Sequence, residues 1–253
     1  RMLSSIGRIN QGRIRSGKLE DEDWPRLTSA MHLLEKKNLV IDDTPSLSPI
    51  DVRTRARRVA RENDGEIGMI LIDYLQLMQV PGSDNRVNEI SEISRSLKAL
   101  AKELECPVVA LSQLNRGLEQ RTDKRPVMSD LRESGAIEQD ADLIMFVYRD
   151  DIYKYKEEKE KEKEAEKKGK DYKSTFEFKK EEDSEIIIGK QRNGPTGFIK
   201  LKFQKGLTRF IDPEETQIVY EKAYGSTQHT EAKMNIKLLN SKYNGTLISW
   251  RFV

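Results

Sequence analysis

The chain has 253 residues, 35% of them charged, with 45 Lys and Arg against 43 Asp and Glu and a formal net charge of +2. That length suits one large α/β domain with an appendage or two small domains, and so even a balance excludes a uniformly basic nucleic-acid binder; any basic surface has to be local. A single cysteine, Cys106, excludes an internal disulfide framework, and the lack of a long apolar run or an apolar-cored leader gives the expectation of a soluble, cytoplasmic protein with no membrane partner.

The stretch from Gly12 to Leu19 approaches the phosphate-loop pattern, but Leu19 stands where a magnesium-holding hydroxyl belongs and no apolar strand precedes it. It reads as a turn between helices. Residues 19 to 38 then have the pattern of an amphipathic helix, with Trp24, Leu27, Met31 and Leu34 on one face and Pro25 in the first turn. Leu39-Val40-Ile41 reads as a short strand. Ser48-Pro49 opens a helix that runs to Glu62, with Val52, Ala56 and Val59 inward and Arg53, Arg57, Arg58 and Arg61 outward.

Met69 to Met78 is an apolar run whose one charge is Asp73. Such a run suits a parallel strand covered on both faces, where a buried carboxylate is costly unless it holds a cation or a water. Asp73 is therefore expected at the strand end, facing a site. In phosphate-binding NTPases a carboxylate so placed holds magnesium or its water; a cap for the next segment is the alternative reading. After the loop Pro81 to Arg86, Ile90, Ile93, Leu97, Leu100 and Leu104 recur at helical steps, Pro107 ends the helix, and Val108 to Leu111 forms a strand. Gln113, just beyond it on the same edge as Asp73, is suited to holding a water or sensing a terminal phosphate.

Ser129 to Asp142 is polar, contains Gly135 and leads into a strand at Leu143 to Tyr148. Main-chain amides near Gly135 and the guanidinium of Arg132 suit a phosphodiester backbone; an ordinary helix cap and loop is the plain alternative. Residues 154 to 183 hold 11 lysines and 11 acidic residues without apolar periodicity, which reads as a solvated helix or surface insertion between two strands. Strands follow at Glu185 to Gly189 and Phe198 to Phe203. In the glycine-rich turn between them, alternation puts Lys190 and Arg192 on one side, where two cations can meet one anion. From a hairpin tip they would resemble a trans-acting arginine finger, against the alternative of a solvated turn. Beyond Asp212, Asn244-Gly245 followed by Thr-Leu-Ile-Ser-Trp-Arg-Phe-Val is a hairpin signal. His32, His229 and Cys106 have no metal-ligand spacing. Strands alternating with helices imply an α/β fold with a largely parallel sheet and ligands beyond the strand C-termini.

Taken in order, Leu71-Ile72-Asp73-Tyr74-Leu75-Gln76-Leu77, Leu111-Ser112-Gln113-Leu114, the run Asp130 to Asp142 and the run Gly189 to Gly197 resemble the C-terminal motor domain of bacterial replicative helicases of the DnaB family. The resemblance covers residues 1 to about 212, with 154–183 as a charged insertion and 213–253 as a C-terminal extension. It implies a RecA-like fold and a homohexameric ring around single-stranded DNA, unwinding duplex at the replication fork with ATP and Mg2+, with primase and a helicase loader as partners. By motif, Asp73 would be the magnesium-associated acid and Gln113 the γ-phosphate sensor. Arg132, Glu133 and Gly135 would lie in the DNA-gripping channel loop, and Lys190 and Arg192 would reach the adjacent subunit's ATP. The family's Walker A loop and downstream catalytic glutamate are not within these residues and belong before Arg1, so the chain is expected to be a piece of a longer protein. A RecA-like recombinase or clock-type kinase, and a non-hydrolysing scaffold fragment lacking Walker A, are the competing readings.

Overall fold

The computed structural model describes residues 1–83, 85–131, 135–169, 171–174, 176–213, 218–220 and 245–250. Two short helices open the chain, α1 (Met2–Gly7) and α2 (Gln11–Ser16), the second capped by the Asn10 side chain and ended by Gly17 in the left-handed region at φ 71°. Of the stretch from Gly12 to Leu19 expected as a turn, residues 12–16 are thus helical. The helix expected over 19–38 is shorter, α3 (Asp23–Glu35). Its apolar face is not the buried one: Trp24 and Met31 are more than half exposed. Asp23 is instead buried against Arg13 at 3.0 Å, and Ala30 packs where Gly7 permits close approach, an added Cβ there lying 3.4 Å from the Ala30 Cβ. Small residues and a buried ion pair decide the packing face here. Leu39-Val40-Ile41 forms no strand and is exposed, since no neighbouring strand among the described residues pairs with it.

Helix α4 (Pro49–Glu62) begins with a complete capping box: Ser48 Oγ accepts from Asp51 N at 3.2 Å, Asp51 accepts from Ser48 N at 3.0 Å, and Pro49 occupies the first turn. Ala56 and Ala60 are buried, while Arg53 and Arg57 reach across to Glu103. Strand β1 (Ile70–Ile72) is only the first part of the apolar run; Leu75–Leu77 make a 3-10 turn and the Asp73–Tyr74 peptide is cis. Among the described residues β1 is an edge strand with β2 as its one neighbour, and Leu71 is 46% exposed rather than covered on both faces. Helix α5 (Arg86–Glu103) buries Ile90, Ile93, Leu97 and Leu100, as their spacing requires. Burying such a side chain fully contributes about 1.5–3 kcal/mol, so these four anchor the main core with Val108 and Ala110 of β2 (Val108–Gln113).

Helix α6 (Gly135–Asp140) leads into β3 (Leu143–Tyr148). The charged insertion begins with α7 (Asp150–Lys167), a mostly solvated helix whose root is fixed by the buried Tyr153 and by Lys205, 3.2 Å from Asp151 and 3.1 Å from the buried Glu182. Then come β4 (Glu181–Gln191), β5 (Gly197–Gln204), β6 (Arg209–Ile211), β7 (Ile218–Tyr220) and β8 (Gly245–Trp250). The sheet order is β1-β2-β8-β3-β4-β5-β6, with β7 beside β5. The expected parallel pairing is seen between β1 and β2; β8 runs antiparallel to both β2 and β3, and β4, β5 and β6 follow as antiparallel neighbours. Of the hairpin signalled near Asn244, the strand half is β8, and residues 242–244 lie outside the described residues. No described helix is long and apolar enough to cross a membrane.

One irregularity positions the site. Met145 pairs with Ile188 but Ile144 pairs with Lys190, so Gly189 is an extra residue in β4. Because side chains alternate, this bulge moves Lys190 from the face of Ile186 and Ile188 to the opposite face, that of Ile144 and Phe146. Only glycine fits: a Cβ at Gly189 would stand 2.4 Å from the buried Phe146 ring and 3.0 Å from the Met128 sulfur. Gly189→Ala is expected to destabilise the fold by about 1–3 kcal/mol through overpacking, read as a lower urea midpoint; an unchanged midpoint would show that the strand tolerates the extra methyl.

Candidate active site

The carboxyl end of the parallel β1–β2 pair carries the first cluster. Ile72 is paired with Ala110, so Asp73 and Gln113 emerge from the same edge, and both are exposed. Among the described residues, no hydrogen bond or ion pair engages the Asp73 carboxylate, which leaves its oxygens available to a hard cation such as Mg2+. Gln76 joins the two strands: its amide donates to Ser112 Oγ at 2.9 Å and its carbonyl accepts from Gln113 N at 3.2 Å. The turn behind Asp73 is held from α5. Arg86 donates to the carbonyls of Gln76 at 2.9 Å and Met78 at 3.3 Å and pairs with Glu89, which accepts from Val80 N at 2.8 Å.

The second cluster lies on the β3–β4 side. Lys190, at the end of β4 rather than in the turn, donates to the carbonyls of Glu138 and Gln139, the latter at 3.3 Å; Arg192 donates to Gln139 O at 3.0 Å. Carbonyls at a helix C-terminus lack intrahelical partners, and here the two cations supply them to α6. Burial, and then the charge of Arg192, push the Lys190 ammonium below its ordinary value. The two cations thus share one acceptor, the Gln139 carbonyl, with Arg192 just beyond the end of β4. A cleft of about 500 Å³ lined by Met128, Gly135, Glu138, Gln139, Gly189 and Lys190 brings Gly135 to the same place.

Arg132 and Glu133 lie outside the described residues. The chain leading to them is rigidly placed: Asp130 is buried, accepts from Arg121 Nη2 at 2.9 Å and Nη1 at 3.2 Å and from Val127 N at 2.8 Å, and its carbonyl accepts from Asn115 N at 2.8 Å. Among the described residues no hydrogen bond or ion pair links Asp73 or Gln113 with Lys190 or Arg192. Among the described residues the acid and amide form one group and the cations another. Sequence reasoning gave no role to Gln76, Arg86, Lys98 or Asp142. The signal for Gln76 is a polar residue inside the run Leu75 to Leu77; for Lys98 and Asp142 there is none short of the fold.

Two solved structures share this architecture. A DnaB-like replicative helicase, described together with its interactions with primase, is 39% identical with a TM-score of 0.71 over 84% of this chain and 46% of its own. A second structure, described as an ATPase domain, is 38% identical with a TM-score of 0.70 over 84% of this chain and 69% of its own. The fold is thus that of the RecA-like ATPase domains of replicative helicases. Residues 1–212 match the model of the DnaB-like helicase C-terminal domain, and the chain belongs to that family. The replicative DNA helicase DnaB of Buchnera aphidicola from Schizaphis graminum is 58% identical over 212 residues, 83% of this chain and 41% of the relative. Those of Haemophilus influenzae and Geobacillus stearothermophilus are 56% and 51% identical over 83% and 85% of this chain. The chain spans about two fifths of the length of these curated relatives, 41–42%.

Burial works to raise the pKa of Glu89, but the Val80 amide and the Arg86 guanidinium outweigh it and hold the carboxyl below the usual glutamate range. A depressed carboxyl adds stability above its unfolded pKa, about 4.3, and that stability is lost as pH falls through the folded value. Glu89→Gln should accordingly lower the denaturation midpoint at pH 7, with the difference from the parent protein vanishing in acid below that range. A gap that persists unchanged in acid would show that Glu89 acts through packing alone.

Proposed function

We propose that this chain is the motor part of an ATP-dependent replicative DNA helicase, which assembles as a hexameric ring and translocates on single-stranded DNA to unwind duplex at the fork. The observation that carries the reading is the separation of the two clusters: an acid and an amide at the carboxyl edge of β1–β2, and two cations bound to α6 on the β3–β4 side, with no hydrogen bond or ion pair joining them among the described residues. A ring of identical subunits places one cluster opposite the other across each interface. On this reading residues 1–212 are the motor domain, 154–183 a surface insertion in it and 213–253 an extension.

In that site Asp73 would hold Mg2+ directly or through water, and the ion would neutralise charge between the terminal phosphates of ATP. Gln113, fixed through its main-chain N–H by Gln76, would contact the terminal phosphate and transmit its loss to β2 and the Gln76 turn. Lys190 and Arg192 would enter the neighbour's pocket, where fixed positive charge stabilises the charge that develops on the transferred phosphoryl group. Arg132, Glu133 and Gly135 would line the channel, with phosphate contacts that make DNA binding salt-sensitive and nearly indifferent to sequence. The solved helicase described with primase supports primase as a partner, and a loader would act on the same ring in the cytoplasm.

In the assembled full-length protein, Arg192→Ala should remove DNA-stimulated ATP turnover, by roughly 10³–10⁵-fold for a residue acting as a trans finger, while nucleotide binding and ring assembly persist. Steady-state ATPase assays beside nucleotide titrations decide it; full turnover in the variant would refute the assignment.

A further inference from the structure

Asp142 stands at the junction of every element that bears on Arg192. It is 6% exposed, follows α6 by two residues and precedes β3. Its main-chain carbonyl accepts from Arg192 N at 2.8 Å, its Oδ1 meets Arg192 Nη1 at 3.3 Å, and its Oδ2 forms an ion pair with Lys98 of α5. A buried carboxylate is tolerated only when paired, and this one is held between two cations of unlike exposure. Lys98 is largely covered, with 17% of its side chain exposed, whereas Arg192 is 48% exposed. Lys98 therefore fixes the carboxylate, and the carboxylate orients the outer cation.

We propose that Asp142 is a positioning residue: held by Lys98, its carboxylate and main-chain carbonyl set the direction of the Arg192 guanidinium toward the nucleotide of the neighbouring protomer. This rests on the trans role of Arg192 proposed above. Asp142 Oδ1 lies 3.3 Å from Nη1 as an ion pair without a hydrogen bond, and Gln139 O accepts from Nη2 at 3.0 Å, so one charge attraction and one hydrogen bond restrain the planar five-donor group. A long exposed side chain would otherwise sample many rotamers, and misplacement of a catalytic group by about 1 Å costs up to roughly 100-fold in rate.

The test is a double-mutant cycle on kcat in the assembled full-length protein, with nucleotide Kd and single-stranded DNA affinity measured alongside. Asp142→Asn keeps the shape and removes the charge; kcat should fall about 10- to 100-fold with both affinities unchanged, and Asp142→Glu should recover part of the loss. In an Arg192→Ala background the same change should cost nothing further. Should the Asn variant fail to assemble, Lys98→Met is the second arm, expected to lower kcat in the parent background and to have no effect beside Arg192→Ala. An unchanged kcat in Asp142→Asn, or an equal loss with and without Arg192, overturns the inference. Arg192→Ala that itself retains full turnover instead overturns the reading on which it stands.

Discussion

The one-residue bulge at Gly189 is the constraint on which the site depends. β4 faces two cores, one on each side of the sheet, and its side chains before the bulge are committed by Ile186 and Ile187 to opposite cores. Without an extra residue Lys190 would share the face of Ile186 and Ile188 and point away from α6. With it, Lys190 and Arg192 both reach the C-terminal carbonyls of α6. The Phe146 ring fills the space a side chain at 189 would need, so core packing and cation placement are set by the same contact.

The rest of the architecture serves to hold a few polar groups at defined places. Gln76 stitches β1 to β2 beyond their last paired residues, and Arg86 and Glu89 brace the turn behind it from α5. Asp130 does the same for the approach to residues 132–134, accepting from a bidentate arginine. In each case a polar side chain bonds a main-chain group near the site.

Where local chemistry decides structure, the sequence was informative. Ser48, Pro49 and Asp51 mark the start of α4 by capping alone, and the spacing from Ile90 to Leu100 marks the buried face of α5. The position of Asp73 at a strand end follows from the cost of burying a lone carboxylate in an apolar run. Where distant partners decide, it was not. Trp24 and Met31 make an amphipathic stripe, yet α3 is docked through Asp23 and Ala30 because Arg13 and Gly7 lie beside them. Leu39 to Ile41 has strand composition without a strand to pair with among the described residues. β8 enters the middle of the sheet between β2 and β3, more than 90 residues along the chain from either, a separation no local pattern encodes. Asp142 was visible only as one of several acids, and its ion pairs with Lys98 and Arg192 join residues 44 and 50 positions away.

The central claim is that one nucleotide site is built from two protomers, with the acid and amide from one and the cations from the next. A structure of the assembled ring with single-stranded DNA and a phosphoryl-transfer transition-state analogue addresses it most directly. The account predicts Arg192 of one protomer within hydrogen-bonding distance of the terminal phosphate analogue beside Asp73 and Gln113 of its neighbour. Arg192 turned away from every interface in all protomers, with the analogue contacted by residues of a single chain, would contradict it.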